Sequence, residues 1–281
     1  MPSPADRRHA LVTGASTGIG RASALALHAA GFDVVAAMRR PDPTGLPDDM
    51  RVVALDVDDD ASVAAAFAEA GPVDVLVNNA GTSPTGATED FPIEDWRALF
   101  ETNLFGAVRC TVAALPHLRT SGGVVVNISS FVARVNQPAM GAYGASKAAL
   151  EAWSEALAAE LVAFGGRVVV VEPGAIRTPI QQKTAPPPRD SLYRDVNRNW
   201  GLASRWIHAR ASEPEVVAAA VVRAAVDPTC PFRVPVGQGA AELLAWRAGM
   251  SDEAWIATWG QPTDAFVEAY RAEFGVDLRE R

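Results

Sequence analysis

Tyr143 and Lys147, four residues apart, are of types and at a spacing that could do chemistry together. On a helix that spacing puts both side chains on one face, so a phenol and an ammonium can serve one site. A free tyrosine, with a pKa of about 10, is a poor base at neutral pH. A neighbouring positive charge favours the phenolate. The pair therefore reads as a general acid and base, a phenol that gives up or takes a proton while the ammonium steadies its charge. Taken singly, the tyrosine could be a core aromatic and the lysine a solvated helix charge.

The second group is a turn, Thr13-Gly14-Ala15-Ser16-Thr17-Gly18-Ile19-Gly20, between a predicted strand and a predicted helix. Gly14 permits the tight turn, Gly18 lets the backbone approach a pyrophosphate, and Gly20 lets the helix pack close to the strand. The helix N-terminus then offers free N–H groups and a positive dipole end to phosphate. Strand, turn and helix in this order are the context a dinucleotide site needs. The residues Gly14 to Gly18 also spell G-x-S-x-G, the nucleophile elbow of a hydrolase, which needs a later acid and then a histidine. Only His28, His117 and His208 follow Ser16, and none sits in a loop after a strand end. An elbow on the first strand also lacks earlier strands to build an oxyanion loop, so the hydrolase reading is set aside.

The elements that must position these residues follow from periodicity. Apolar, β-rich runs at 10–13, 34–38, 52–55, 73–77, 124–128, 168–171 and 232–236 alternate with helical stretches at 19–30, 61–70, 93–118, 142–164 and 214–225. Continuous apolar strands are those of a parallel sheet buried on both faces. The rhythm predicts an α/β fold, a Rossmann-type doubly wound parallel β-sheet flanked by helices, as one domain over 1–240. Residues 241–281, rich in aromatics, read as a helical C-terminal extension packed on it. Pro41, Pro43 and Pro47 argue against a regular second crossover helix. Residues 175–212 hold Pro179 and the run Pro186-Pro187-Pro188 and show little periodicity. They read as an irregular functional loop, a mobile lid over substrate. Its Tyr193, Trp200 and Trp206 need a surface to cover, and the tryptophans of the extension could complete an apolar lid or merely glue the extension down.

Composition narrows the partners. The chain has 281 residues, 49% hydrophobic and 21% charged, with a net charge of −8. An acidic balance argues against nucleic acid as a partner. No stretch approaches the apolar length of a membrane span. Residues 1–9 are polar, without an apolar signal segment, so the cytoplasm is the expected compartment. Cys110 and Cys230 form no redox motif, and the four histidines show no metal-ligand spacing, so no metal site is expected.

At this point the motifs resemble those of the short-chain dehydrogenases/reductases. Thr13–Gly20 is similar to their T-G-x-x-x-G-I-G turn, Asn78-Asn79-Ala80-Gly81 to their N-N-A-G, Tyr143-Gly144-Ala145-Ser146-Lys147 to Y-x-x-x-K, and Pro173-Gly174 with Thr178 to P-G-x-x-x-T. The four keep family order and spacing across roughly residues 8 to 240. The resemblance implies a catalytic set of Asn103, Ser130, Tyr143 and Lys147. Family spacing favours Ser130 over its neighbour Ser129. It implies that Tyr143 is the acid in reduction and the base in oxidation, that Ser130 hydrogen-bonds the substrate oxygen, that Lys147 also anchors the nicotinamide ribose, and that Asn103 holds a water linking Lys147 to solvent. Cofactor contacts are implied for Gly14, Ser16, Thr17, Gly18, Ile19, Gly20, Asp56, Val57, Asn79, Ala80, Gly81, Pro173, Gly174, Ile176 and Thr178, besides Tyr143 and Lys147.

The second strand ends at Met38-Arg39-Arg40. Where a dinucleotide site that prefers NAD carries an acid for the ribose hydroxyls, Met38 is neutral, and Arg39, helped by Arg40, can grip a 2′-phosphate. NADP(H) is therefore expected, against one contrary sign, the non-basic Thr17. The expected reaction moves a hydride between NADP(H) and a ketone, aldehyde or secondary alcohol. A resemblance of 140–161 and the long extension to the hydroxysteroid- and retinol-dehydrogenase-like branch points to a bulky, apolar small-molecule substrate. The resemblance also implies a homodimer or homotetramer paired through the helices of Asn103 and Tyr143. The alternatives are an epimerase or dehydratase on the same fold, and a non-catalytic NADP-sensing regulator.

Overall fold

The computed structural model of the chain describes residues 7–179 and 191–279. Seven parallel strands form one sheet: β1 (His9–Thr13), β2 (Asp33–Met38), β3 (Arg51–Ala54), β4 (Val75–Asn78), β5 (Val124–Ile128), β6 (Arg167–Pro173) and β7 (Arg233–Val236). Their order is β3-β2-β1-β4-β5-β6-β7. The chain winds outward from β1 to one edge, returns, and winds from β4 to the other. Valine-rich strands suit this: β5 is buried along its whole length, as is β6 after Arg167, because helices cover both faces.

On one face α1 (Gly18–Ala29) and α7 (Pro214–Val226) cover the sheet, with Leu27, Val217 and Val221 buried against β1 and β5. On the other lie α2 (Asp60–Ala70), α4 (Gly106–Ser121) and α5 (Gly141–Val162), with Leu118, Leu157 and Leu161 inward. The β2–β3 connection, residues 39–50, carries no helix, as its three prolines require.

The helical stretch expected over 93–118 runs over 93–121 with an irregularity inside it. α3 (Ile93–Phe100) passes through one π-turn, Glu101–Phe105, into α4; the Gly106 amide bonds to the Glu101 carbonyl, five residues back. The extra residue faces Asn103 inward, where it is buried. This run is also, among the described residues, long and apolar enough by composition to cross a membrane, although the sequence reading found no such stretch. In the fold Leu99, Cys110, Ala114 and Leu118 are its buried side.

The irregular loop expected over 175–212 is corrected in its second half. Residues 194–208 form α6 (Arg194–His208), while the three consecutive prolines lie outside the described residues. Asn199, Ala203 and Ile207 make a buried stripe at four-residue spacing, which the arginines and asparagines around them masked. The stripe faces the extension, whose helices are α8 (Ala240–Ala248), α9 (Asp252–Trp259) and α10 (Thr263–Phe274). Together they enclose a third core around Phe266, with Trp255, Trp259 and Tyr270, and partly buried Trp200, Trp206 and Trp246 packed on it. The rings meet edge-on, Trp246 against Trp255 at 5.1 Å and Trp206 against Tyr270 at 6.1 Å. Asn199 donates to the Gln261 carbonyl at 2.8 Å, and Ser191 to Asp90 at 2.8 Å. So Trp200 and Trp206 already have their surface. Amide exchange across 194–208 should be slow and should change little when cofactor is added; protection that arises only with ligand would restore a moving element here.

Candidate active site

The strand order reverses between β1 and β4, and ligands in open parallel sheets bind at such a point, outside the carboxyl ends of the strands. The two ends are laced together. The Thr13 hydroxyl donates to the Val77 carbonyl and accepts from the amides of Asn79 and Ala80, both at 3.0 Å. The Asn79 side chain donates back to the carbonyls of Thr13, at 2.9 Å, and Gly14, at 3.2 Å. The turn leaves no room for side chains. A Cβ on Gly20 would lie 2.4 Å from Asn79 Nδ2 and from the Gly14 carbonyl oxygen, and Gly14 and Gly18 take φ of +65° and +55°. Thr17 precedes α1 in extended conformation without a capping side-chain bond, and the first turn of α1 holds no acid. Its amides thus face the crevice with their positive dipole end. A bare-glycine cradle at a helix N-terminus fits the pyrophosphate of a nicotinamide dinucleotide.

The other expected cofactor contacts rim the same crevice. Ser16 and Thr17 are exposed on the turn, and Ile19 packs inward. Thr178 sits over the turn: a Cβ on Gly18 would come within 3.1 Å of its methyl. Pro173 ends β6, and Gly174 passes so close to the Gln238 carbonyl that a Cβ would stand 2.0 Å from it. Ile176 is buried and bridges to Ser212. At the opposite side Met38 is buried while Arg39 and Arg40 are exposed. Asp56 accepts from the Asp58 amide at 3.2 Å, and Val57 packs against bare Gly106. Burial holds the Asp58 carboxyl above its usual range, opposed by a bond from Thr102 and by the charge of Arg39.

The four side chains of the expected catalytic set converge beyond the ends of β4 and β5. Lys147 is buried and donates to the Ile128 carbonyl at 2.8 Å. Gly81 leaves room for Asn103, since a Cβ there would lie 3.1 Å from Asn103 Oδ1. Burial brings the Lys147 ammonium down to about 8, Glu151 acting against that fall. The Lys147 ammonium lies 6.0 Å from the centre of the Tyr143 ring. Desolvation pushes the Tyr143 phenol up to about 12, opposed by its hydrogen bond with Ser130. Ser130 Oγ also accepts from the Val132 amide at 3.2 Å.

Two findings go beyond the sequence reading. The Asn103 amide is engaged by protein at both ends: it accepts from the Thr82 amide at 2.8 Å and donates to the Thr82 carbonyl and the Ser146 hydroxyl, both at 3.0 Å. The side chain therefore ties the loop after β4 to α5. Ser129, the other serine of the pair, points away from Tyr143 and donates to Glu151 at 2.6 Å. Glu151 in turn pairs with Arg233 at 3.3 Å, and buried Glu172 with Arg134 at 3.5 Å. Burial first, and then Glu151, hold the Glu172 carboxyl above its usual range. The signals were present: a glutamate one helical turn after Lys147, and a carboxylate directly after the apolar run 168–171.

The sequence profile of the short chain dehydrogenases matches residues 8–188. An uncharacterised oxidoreductase of Bacillus subtilis is 33% identical over 270 residues, spanning 89% of this chain and 96% of its own. Among solved structures, a short-chain dehydrogenase from Streptomyces avermitilis superposes with a TM-score of 0.77 at 36% identity, over 92% of this chain and 97% of that one. Another, from Burkholderia cenocepacia and in complex with NADP, gives a TM-score of 0.75 at 28% identity, over 91% and 98%. The chain therefore belongs to the short chain dehydrogenase family, the oxidoreductases that use a nicotinamide cofactor on an alcohol–carbonyl pair.

Proposed function

We propose that this enzyme is an NADP(H)-dependent reductase of ketones or aldehydes, and in reverse a dehydrogenase of the corresponding alcohols, with Tyr143 as its proton donor and acceptor. The observation that carries this reading is the convergence of Ser130, Tyr143 and Lys147 beside the glycine cradle. The nicotinamide, when bound, supplies or accepts the hydride.

In reduction the substrate oxygen sits between the hydroxyls of Ser130 and Tyr143. The Tyr143 phenol is protonated at neutral pH, so it is ready to donate as negative charge gathers on that oxygen. Ser130 donates to the same oxygen, a contact whose counterparts in other enzymes are worth about 10²–10³ in kcat. The Lys147 ammonium stabilises the phenolate left behind, and in oxidation it favours the same phenolate as base. Arg39 and Arg40, next to the uncharged end of β2, support a 2′-phosphate and hence NADP(H). The aromatic third core, which includes Tyr143 and Met140 at its border, supports an apolar, bulky substrate of the hydroxysteroid or retinol kind. Exposed Phe105 and Val112 near α4, and Val162 and Phe164 at the end of α5, support pairing of two copies through these helices. Two free thiols, Cys110 and Cys230, support a reducing compartment, the cytoplasm.

Tyr143→Phe should lower kcat by about 10²–10⁴ while leaving NADPH affinity near that of the wild type. Near-normal turnover, followed by NADPH absorbance with a panel of carbonyls, would remove Tyr143 from the mechanism. Met38→Asp with Arg39→Ala should swing the ratio of kcat/KM from NADPH toward NADH; a wild type that already prefers NADH would refute the reading of the strand end. With pH, reduction should hold its kcat/KM below pH 7 and decline as Lys147 loses its proton through about 8. The phenol stays protonated across that window and is not the cause of the fall. A profile flat to pH 10 would separate Lys147 from the rate.

A further inference from the structure

A lysine ammonium that is 5% exposed is a charge that bulk water hardly solvates. Lys147 donates to one backbone carbonyl, that of Ile128, which is neutral. The opposite charge that acts on it is that of Glu151, one turn further along α5 and itself 3% exposed. One oxygen of Glu151 accepts the Ser129 hydroxyl at 2.6 Å, and the other faces Arg233 on β7 at 3.3 Å. Ser129 has Ile128, the acceptor of Lys147, on one side and Ser130, the partner of Tyr143, on the other. A single carboxylate thus grips the end of β5 from below, at the residue between the two that meet the active groups above.

We propose that Glu151 is a positioning residue of the active site: its carboxylate fixes the end of β5 beneath Ser130 and supplies the counter-charge of the Lys147 ammonium. The inference rests on the reading of Lys147 as part of the acid–base group. Among the described residues, the charged and titratable groups that face this pair are few. α5 itself brings Tyr143 and Glu155, β6 brings Glu172, β7 brings Arg233, and the turn after β5 brings Arg134. The two residues that follow β5 and the inward residue of the π-turn contribute neutral groups, Ser129, Ser130 and Asn103, while Glu101 of the π-turn pairs with Arg109. Arg233 opposes the effect of Glu151 on Lys147, and Glu172 adds to it only in so far as it is ionised.

Glutamine has the shape of glutamate and still accepts the Ser129 hydroxyl, so Glu151→Gln removes the charge and keeps the bond. The chain has two lysines, Lys147 and Lys183. Protein labelled with [ε-¹³C]lysine therefore gives two signals, and Lys183→Arg leaves that of Lys147. Titration of the cofactor-free protein should place the wild-type Lys147 midpoint at about 8. In Glu151→Gln the midpoint should fall by roughly one pH unit, and the pH at which reduction declines should fall with it. Glu151→Asp should bring both back toward the wild type. Arg233→Gln, which strips Glu151 of its other partner, should move the midpoint the opposite way; if Glu151→Gln does not fold, this variant decides alone. An unmoved Lys147 midpoint in the folded variants overturns the proposal. Full turnover in Lys147→Met would instead sink the acid–base reading, and the titration would still report whether Glu151 holds the ammonium.

Discussion

The crevice between β1 and β4 is the constraint from which the rest of the site follows. Where strand order reverses, the helix leaving β1 and the connection leaving β4 cross opposite faces of the sheet, so no element covers the gap between the two strand ends. The gap must stay open for a ligand while its two walls stay together. Backbone pairing cannot do this beyond Val12 and Val77, where the β1–β4 ladder stops. The work passes to the Thr13 hydroxyl and the Asn79 amide, which together bond four backbone groups across the gap besides the Val77 carbonyl. Asn79 Nδ2 comes so near the start of α1 that only a glycine fits at position 20. The cradle is thus a consequence of tying the sheet at its weakest place, and the phosphate-binding amides are what remains uncovered.

Much of this was legible in the sequence because the backbone demands it locally. A positive φ at Gly14 and Gly18, and a missing Cβ at Gly20, Gly81 and Gly174, are constraints that residue type alone can express. The strands of the sheet read as apolar runs because both faces are covered. Tyr143 and Lys147 read as a pair because helical spacing places them together. Ser130 could be preferred over Ser129 by spacing, but the direction of each hydroxyl is a matter of strand geometry. Successive side chains past the end of β5 turn to opposite sides, so one serine meets Tyr143 above and the other Glu151 below.

What stayed hidden depended on partners far along the chain. The π-turn at Glu101–Phe105 has no glycine or proline to announce it. It exists because Asn103 bonds Thr82 and Ser146, residues on two other elements. α6 was hidden because its inward stripe is narrow and includes an asparagine, whose amide is satisfied by the Gln261 carbonyl of the extension. Prolines just upstream of it say nothing of a helix that starts later. Of the aromatic residues expected to need a surface, Trp200 and Trp206 have one, while Tyr193 stays exposed and donates to Glu89. That surface is Phe266, Tyr270 and their neighbours, and so the extension is part of the core rather than an appendage.

Beneath the site lies a polar layer that fixes the register on which the chemistry depends. Asn78 on β4 and Asn127 on β5 are buried partners in the ladder, and Asn78 donates to Asn127 at 2.9 Å. Asn78 also donates to Thr111 on α4 at 2.9 Å, and Asn127 to Ser154 on α5 at 2.7 Å. A slip of β5 by one residue would turn Asn127 to the opposite face. Several buried polar groups would lose their partners, each at a cost of about 1–3 kcal/mol. An all-valine pair of strands would feel no such penalty, since valine fits either face of this sheet. The asparagines therefore set the relative height of β4, β5, α4 and α5. Those four elements, with the π-turn that leads into α4, carry Asn103, Ser130, Tyr143 and Lys147, whose mutual distances are fixed by that layer before any ligand arrives.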